Sequence, residues 1–156
     1  MSFYTFIDSP VGTLTALSDG TAITGLYLPS QNVPPNGIRC DQLPVFDQLR
    51  SWLDAYFTGK APDPSHVFLC PKGTAFQKKV WHLLQAIPYG CTTSYGVIAK
   101  QISPNMSAQA VGGAVGRNPI SILIPCHRVL GADGSLTGYA GGLESKRFLL
   151  ELERII

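Results

Sequence analysis

Asn118-Pro119-Ile120-Ser121-Ile122-Leu123-Ile124-Pro125-Cys126-His127-Arg128-Val129 is apolar from Ile120 to Ile124, broken only by Ser121. Directly after a proline it then delivers a cysteine, a histidine and an arginine. Apolar runs of this length bury themselves as strands or short core segments. The run therefore carries a thiol toward the interior with two ionisable neighbours attached. A thiol becomes a nucleophile when its surroundings favour thiolate, and an adjacent imidazolium or guanidinium does so.

Outward from this stretch, the chain reads as two halves. The 156 residues suit one compact domain or two small ones. A hydrophobic content of 45% is enough for a core without staples. Cys40, Cys70, Cys91 and Cys126 are widely scattered with no CxxC pair, which excludes a zinc knuckle or a disulfide framework and points to reduced thiols. No long apolar run predicts a membrane span, and Met1 to Phe6 lacks the basic and apolar regions of a signal peptide. A cytoplasmic protein is expected.

Net charge is +2 but uneven: residues 1–71 carry −3 and residues 72–156 carry +5. No acidic residue occurs from Ser65 through Ala132, while Lys72, Lys78, Lys79, Lys100, Arg117 and Arg128 do. Such a stretch is suited to a polyanion, or else is a modestly basic solvated face.

The first part predicts a β meander: Phe3–Ile7, Thr13–Leu17 and Ala22–Leu28, separated by turns around Pro10-Val11-Gly12 and Asp19-Gly20. Leu43, Phe46, Leu49, Leu53, Tyr56 and Phe57 then follow a helical period, stopped by Gly59. Val67-Phe68-Leu69 suggests a short further strand. The second part is mostly helical. Thr74-Ala75-Phe76-Gln77 has the capping-box pattern, and Pro88 ends the helix it opens. Ser94 and Ser107 are N-caps for two short helices joined by a tight turn, a helix-turn-helix layout. The second of these, Ala108-Gln109-Ala110-Val111-Gly112-Gly113-Ala114-Val115-Gly116, is almost bare of side chains. Glycine inside a helix costs about 1 kcal/mol relative to alanine. Two explanations are open: tight packing of this helix on its neighbour, or close approach of a large ligand. The expected class is α+β, with a small antiparallel sheet and helix over residues 1–71 and a mostly helical domain with the active-site segment over residues 72–156.

Pro125-Cys126-His127-Arg128-Val129, with Asn118-Pro119 and Ala110-Val111-Gly112-Gly113-Ala114 before it, resembles the O6-alkylguanine-DNA alkyltransferase family. Ile87-Pro88-Tyr89-Gly90, Ser94-Tyr95-Gly96 and Gly138-Tyr139-Ala140-Gly141-Gly142 extend the likeness from Thr74 to Glu153. The first 71 residues match that family's ribonuclease H-like domain only in size and pattern. The resemblance implies a suicide repair protein that binds duplex DNA and extrudes an O6-alkylated guanine, or an O4-alkylated thymine. The alkyl group passes to the protein's own cysteine, without cofactor and without turnover.

By this resemblance Cys126 is the acceptor, His127 the general base acting through a bound water, and Glu153 the carboxylate that orients the histidine. Asn118 ties the recognition helix to the active-site segment, and Tyr95 donates to the guanine ring. The backbone of Cys126, Val129, Tyr139 and Ala140 reads the base. Ser94, Ala108, Gln109, Gly112, Gly113 and Arg117 face DNA in the minor groove. Arg128 is structural. Two positions depart from the family pattern: Gln109 stands where an arginine usually enters the space of the flipped nucleotide, and Ala140 where some members have serine. With only Cys40, Cys70 and His66 at hand in the first domain, no four-ligand zinc set is expected. A monomer is expected, at the nucleoid when on DNA. Other functions fit parts of the pattern: a non-repairing sensor of alkylated bases, a cysteine hydrolase with turnover, or a sequence-specific regulator.

Overall fold

A computed structural model describes every residue except Thr137 and Ala140. The chain divides into two compact units: Met1–Lys72 with Pro119–Ser121, and Gly73–Asn118 with Ile122–Ile156. None of the helices among the described residues is long and apolar enough to cross a membrane.

In the first unit, β1 (Phe3–Ser9), β2 (Gly12–Ser18) and β3 (Ile23–Tyr27) form an antiparallel meander, with Phe3 opposite Ser18 and Thr15 opposite Tyr27. Alternation puts Thr5 and Ile7 of β1 and Leu14, Ala16 and Ser18 of β2 on the buried face. A two-residue β4 (Ile38–Arg39) adds to β1 in parallel, so the sheet is mixed, in the order β3-β2-β1-β4. It is too short, and Ile38 too exposed, to leave a period-2 signal in the sequence. Val67–Leu69 contributes only a single parallel bridge, Leu69 beside Ile23.

Helix α1 (Pro44–Phe57) starts at a proline in its first position, where the missing N–H costs nothing. It buries Val45, Phe46, Leu49, Trp52, Leu53 and Tyr56, each worth about 1.5–3 kcal/mol when removed from water. Pro119–Ser121 belongs to this unit through the backbone bonds Leu26 N–H to Pro119 O and Ser121 N–H to Leu26 O.

The second unit opens with α2 (Ala75–Gln85), whose N-terminus closes as a capping box: Thr74 accepts from Gln77 N–H and Gln77 Oε1 accepts from Thr74 N–H. β5 (Thr93–Ser94) leads into α3 (Tyr95–Ile102), and Ser94 caps it by accepting from Val97 N–H. α4 (Ala108–Gly116) is capped by Ser107, which accepts from Ala110 N–H. Trp81 of α2 donates its indole N–H to Ala114 O at 2.9 Å and so anchors α4 from behind. β6 (Val129–Leu130) pairs in parallel with β5, and α5 (Leu143–Leu152) closes the unit.

The apolar run does not form a strand. Every residue from Ile120 to Val129 is buried. From Ile120 to Ile124 only Ile120 makes a β-bridge, and Ile122 has φ +74°, a left-handed backbone that a β-branched residue rarely adopts. Cys126–Arg128 is a single 3-10 turn rather than an extended segment. The rule that neighbouring side chains of an extended chain point apart therefore does not govern Cys126 and His127.

Candidate active site

The turn that carries Cys126 is held at both ends. Before it, Asn118 sits at the exit of α4 and donates its side-chain N–H to Ile124 O at 2.8 Å and toward Cys126 Sγ at 3.2 Å. After it, Val129 N–H closes on Cys126 O, and the Val129 carbonyl accepts from Lys146 Nζ at 2.7 Å. Val129 is wholly buried, and it is not among the residues that border the cavity beside Cys126.

His127 and Arg128 turn away from solvent onto Glu153, the residue that ends α5. His127 Nε2 lies 2.6 Å from Glu153 Oε2. Arg128 donates Nε to Oε1 at 2.8 Å and an Nη to Oε2 at 3.2 Å, and Gly90 N–H also donates to Oε1. A carboxylate accepting these bonds can only accept from His127, so Nε2 carries the imidazole proton and Nδ1 keeps its lone pair. Nδ1 has no hydrogen-bond partner among the described residues. Burial pushes His127 below the usual imidazole range, against the pull of Glu153. It rests as a neutral base with a free acceptor nitrogen.

The thiol also differs from the expectation of a cation-flanked thiolate. Arg128 spends its charge on Glu153 and on Ile87 O, not on sulfur. Burial pushes the Cys126 thiol up, while hydrogen bonding from Asn118, the charge of Lys146 and hydrogen bonding from Tyr139 pull it down. The resting sulfur is a thiol that needs a base, and a neutral imidazole is its neighbour in the turn.

Cys126 lines a cavity of about 620 Å³ with Tyr95, Gln109, Gly112, Gly116 and Tyr139. Ala108 and Gly138 also border it. Tyr95 is the first residue of α3, directly after the Ser94 cap. Gly113 and Arg117 are exposed on and just after α4 and do not border the cavity. Ala140 lies outside the described residues.

The glycines of α4 separate the two explanations of its bareness. A Cβ at Gly113 or Gly116 would meet nothing within 4 Å, and one at Gly112 only the Tyr95 ring at ordinary contact distance. By contrast, a Cβ at Gly73 would strike Trp81 at 2.5 Å. Packing inside the protein explains Gly73 and does not require the glycines of α4, so of the two explanations close packing on a neighbour is the one that falls.

Sequence reasoning had no place for Lys146, and it did not foresee that Arg128 clasps Glu153. The signal was present in α5. Lys146, Leu149, Leu150 and Glu153 recur at the i, i+3, i+4, i+7 spacing of a buried stripe, and all four are buried. A lysine and a glutamate at stripe positions mark charges taken into the interior. No group of three His, Cys, Asp or Glu that could hold a metal ion occurs among the described residues.

A helix-turn-helix with a bare second helix, beside a buried cysteine backed by a histidine–carboxylate pair, defines a protein that brings its own nucleophile to a large ligand. Residues 75–155 match the model for the 6-O-methylguanine DNA methyltransferase DNA binding domain, and residues 2–67 the model for that family's ribonuclease-like domain. The methylated-DNA–protein-cysteine methyltransferase of Haemophilus influenzae is 49% identical over 98% of this chain and 87% of its own. That of Methanosarcina acetivorans is 42% identical over 97% of each. The crystal structure of Mycobacterium tuberculosis OGT in complex with DNA superposes with a TM-score of 0.87 at 46% identity, over 97% of this chain and 92% of that one. The chain belongs to the 6-O-methylguanine DNA methyltransferase family.

Proposed function

We propose that this protein repairs alkylated DNA by moving the alkyl group from O6 of guanine to Cys126, once per molecule. The chain is a methylated-DNA–protein-cysteine methyltransferase, and DNA is its partner. The observation that carries the assignment of the acceptor is the position of Cys126. It is buried against solvent, yet it lines the cavity bordered by the bare face of α4.

The chemistry follows from the atoms in place. His127 Nδ1 takes the thiol proton, through a bridging water as the family resemblance implies, and the imidazolium that forms is held on Glu153. The thiolate attacks the alkyl carbon, the S–C bond forms as the C–O6 bond breaks, and the guanine leaves with the electron pair. Tyr95, on the cavity wall, donates a hydrogen bond to the purine as that charge develops. The thioether product has no route back to thiol, so each molecule acts once. The same displacement serves O4-alkylthymine.

The lesion reaches sulfur only if it leaves the stack, which costs a few kcal/mol. α4 enters the minor groove, where its bare surface suits the narrow width. Ser94, Ala108, Gly112, Gly113 and Arg117 lie along the DNA, and Gln109, on the cavity rim, fills the place of the extruded nucleotide. Glutamine can hydrogen-bond the orphaned cytosine but lacks the charge and stacking area of arginine. Residues 72–156 carry DNA binding and alkyl transfer, a reading supported by the spans of the two family models, 2–67 and 75–155. The protein works as a cytoplasmic monomer.

The test is stoichiometry. Incubation with excess duplex bearing O6-methylguanine gives a burst of repair equal to the protein concentration and then stops, and Cys126→Ala binds the duplex without repairing it. Continued turnover would instead make this a hydrolase, and tight binding by the wild type without repair would make it a sensor.

A further inference from the structure

Lys146 is the buried charge that the transfer reaction above does not use. It is 0% exposed in the second turn of α5, and its Nζ sits on the Val129 carbonyl at the end of the turn that carries Cys126. Arg128 is the other buried cation, and Glu153 is the buried carboxylate that Arg128 and His127 share. Thr137 and Ala140, outside the described residues, are not ionisable. With Cys126 as thiol and His127 neutral, the interior holds two cations and one anion. With Cys126 as thiolate and its proton on His127 the sum is unchanged, but an anion now stands on the turn to which Lys146 is anchored. Burying an uncompensated ammonium is expensive, and the cost falls when an anion forms beside it.

We propose that Lys146 is the counter-charge of the Cys126 thiolate: a positioning residue, anchored through Val129 O on the acceptor turn, that lowers the cost of ionising a buried sulfur. The inference rests on Cys126 being the acceptor. Other groups also act on the sulfur or its base. Asn118 hydrogen-bonds the sulfur, Tyr139 lines the same cavity, and His127 sits beside the sulfur in the turn. Glu153 favours the charged form of His127, whereas Arg128 and Lys146 itself oppose it. Among these and Lys146, Arg128 and Lys146 carry the basic side chains, and Arg128 is committed to Glu153 and Ile87 O. The coupling runs both ways. Burial pushes Lys146 below the usual amine range, and the charge of Cys126 pulls it back. Alkylation removes the group that can supply that anion, so at high pH the ammonium is harder to keep after repair than before it.

The experiment uses the full chain with Cys40, Cys70 and Cys91 replaced by serine, so that thiolate absorbance reports Cys126 alone. Lys146→Met keeps length and loses charge. The expected result is a Cys126 titration displaced upward by about one unit, and a transfer rate to O6-methylguanine duplex about tenfold lower at neutral pH. The rate should recover toward wild type as pH rises, and Lys146→Arg should restore it. An unmoved thiol titration, with the rate lowered equally at every pH, would mean that Lys146 only fastens the turn and would overturn the proposal. If the methionine variant fails to fold, the wild type still decides the matter. Nζ of Lys146, followed by NMR before and after methylation of Cys126, should lose its proton at lower pH in the methylated protein, and an unchanged titration overturns the proposal. A mass spectrum with no adduct on Cys126 would remove the acceptor itself. An adduct with an unshifted titration removes only the role of Lys146.

Discussion

In the N-terminal unit the buried polar residues are hydroxyls, Thr5, Ser18 and Ser121, whereas in the C-terminal unit they are Asn118, His127, Arg128, Lys146 and Glu153. Ser18 donates to Ala22 O at 2.7 Å and Thr5 to Asp41 at 2.8 Å, so these groups are satisfied cheaply at strand positions. The five of the other unit converge on one turn of three residues. Apolar burial accounts for the first unit. The second has an apolar core too but also takes charges out of water, which stabilises a fold little or not at all, so those charges answer to chemistry rather than to folding.

The contrast can be broken at several points. Glu153→Ala leaves Arg128 buried without its partner and should cost about 3–5 kcal/mol in denaturant unfolding, with transfer slowed by about a hundredfold or more in the folded fraction. A loss under 1 kcal/mol would mean the network is not held as described. Leu49→Ala empties the core side of α1 and should cost about 2–5 kcal/mol, with the transfer rate of the folded protein unchanged. A matching fall in rate would show that the first unit serves the chemistry as well.

Gly113→Ala should stabilise the protein by up to about 1 kcal/mol, because the Cβ meets nothing, and yet weaken duplex binding. Unchanged affinity in a filter or fluorescence titration would mean that DNA does not approach α4 there. The smallest effect concerns pH. Burial lowers the folded pKa of His127, so the unfolded chain binds the proton more readily and stability must fall as pH drops below about 6.5. Thermal melts should show that acid loss in the wild type and less of it in His127→Gln.

The local signals of helix starts were fully legible: Thr74, Ser94 and Ser107 are caps that accept the N–H of Gln77, Val97 and Ala110. The strand alternation of β1 and β2 was equally plain, as was the motif around Cys126. What the sequence hid depends on distance along the chain. The partnership of Glu153 with His127, 26 residues apart, shows in no local pattern and came only from the family resemblance. The left-handed Ile122 and the 3-10 turn were hidden because an apolar run has the same pattern whether it lies straight or turns. Arg128 looked like a charge offered to the thiol, and the turn aims it elsewhere. Lys146 carried no reading at all, although Leu149 and Leu150 mark the stripe it belongs to.

The most direct measurement is peptide mass mapping of the protein after one incubation with duplex carrying O6-methylguanine. One methyl group per chain on the peptide that contains Cys126, with the guanine restored in equal amount, is the predicted result. Methyl on Cys40, Cys70 or Cys91, or restored guanine with Cys126 unmodified, would contradict it.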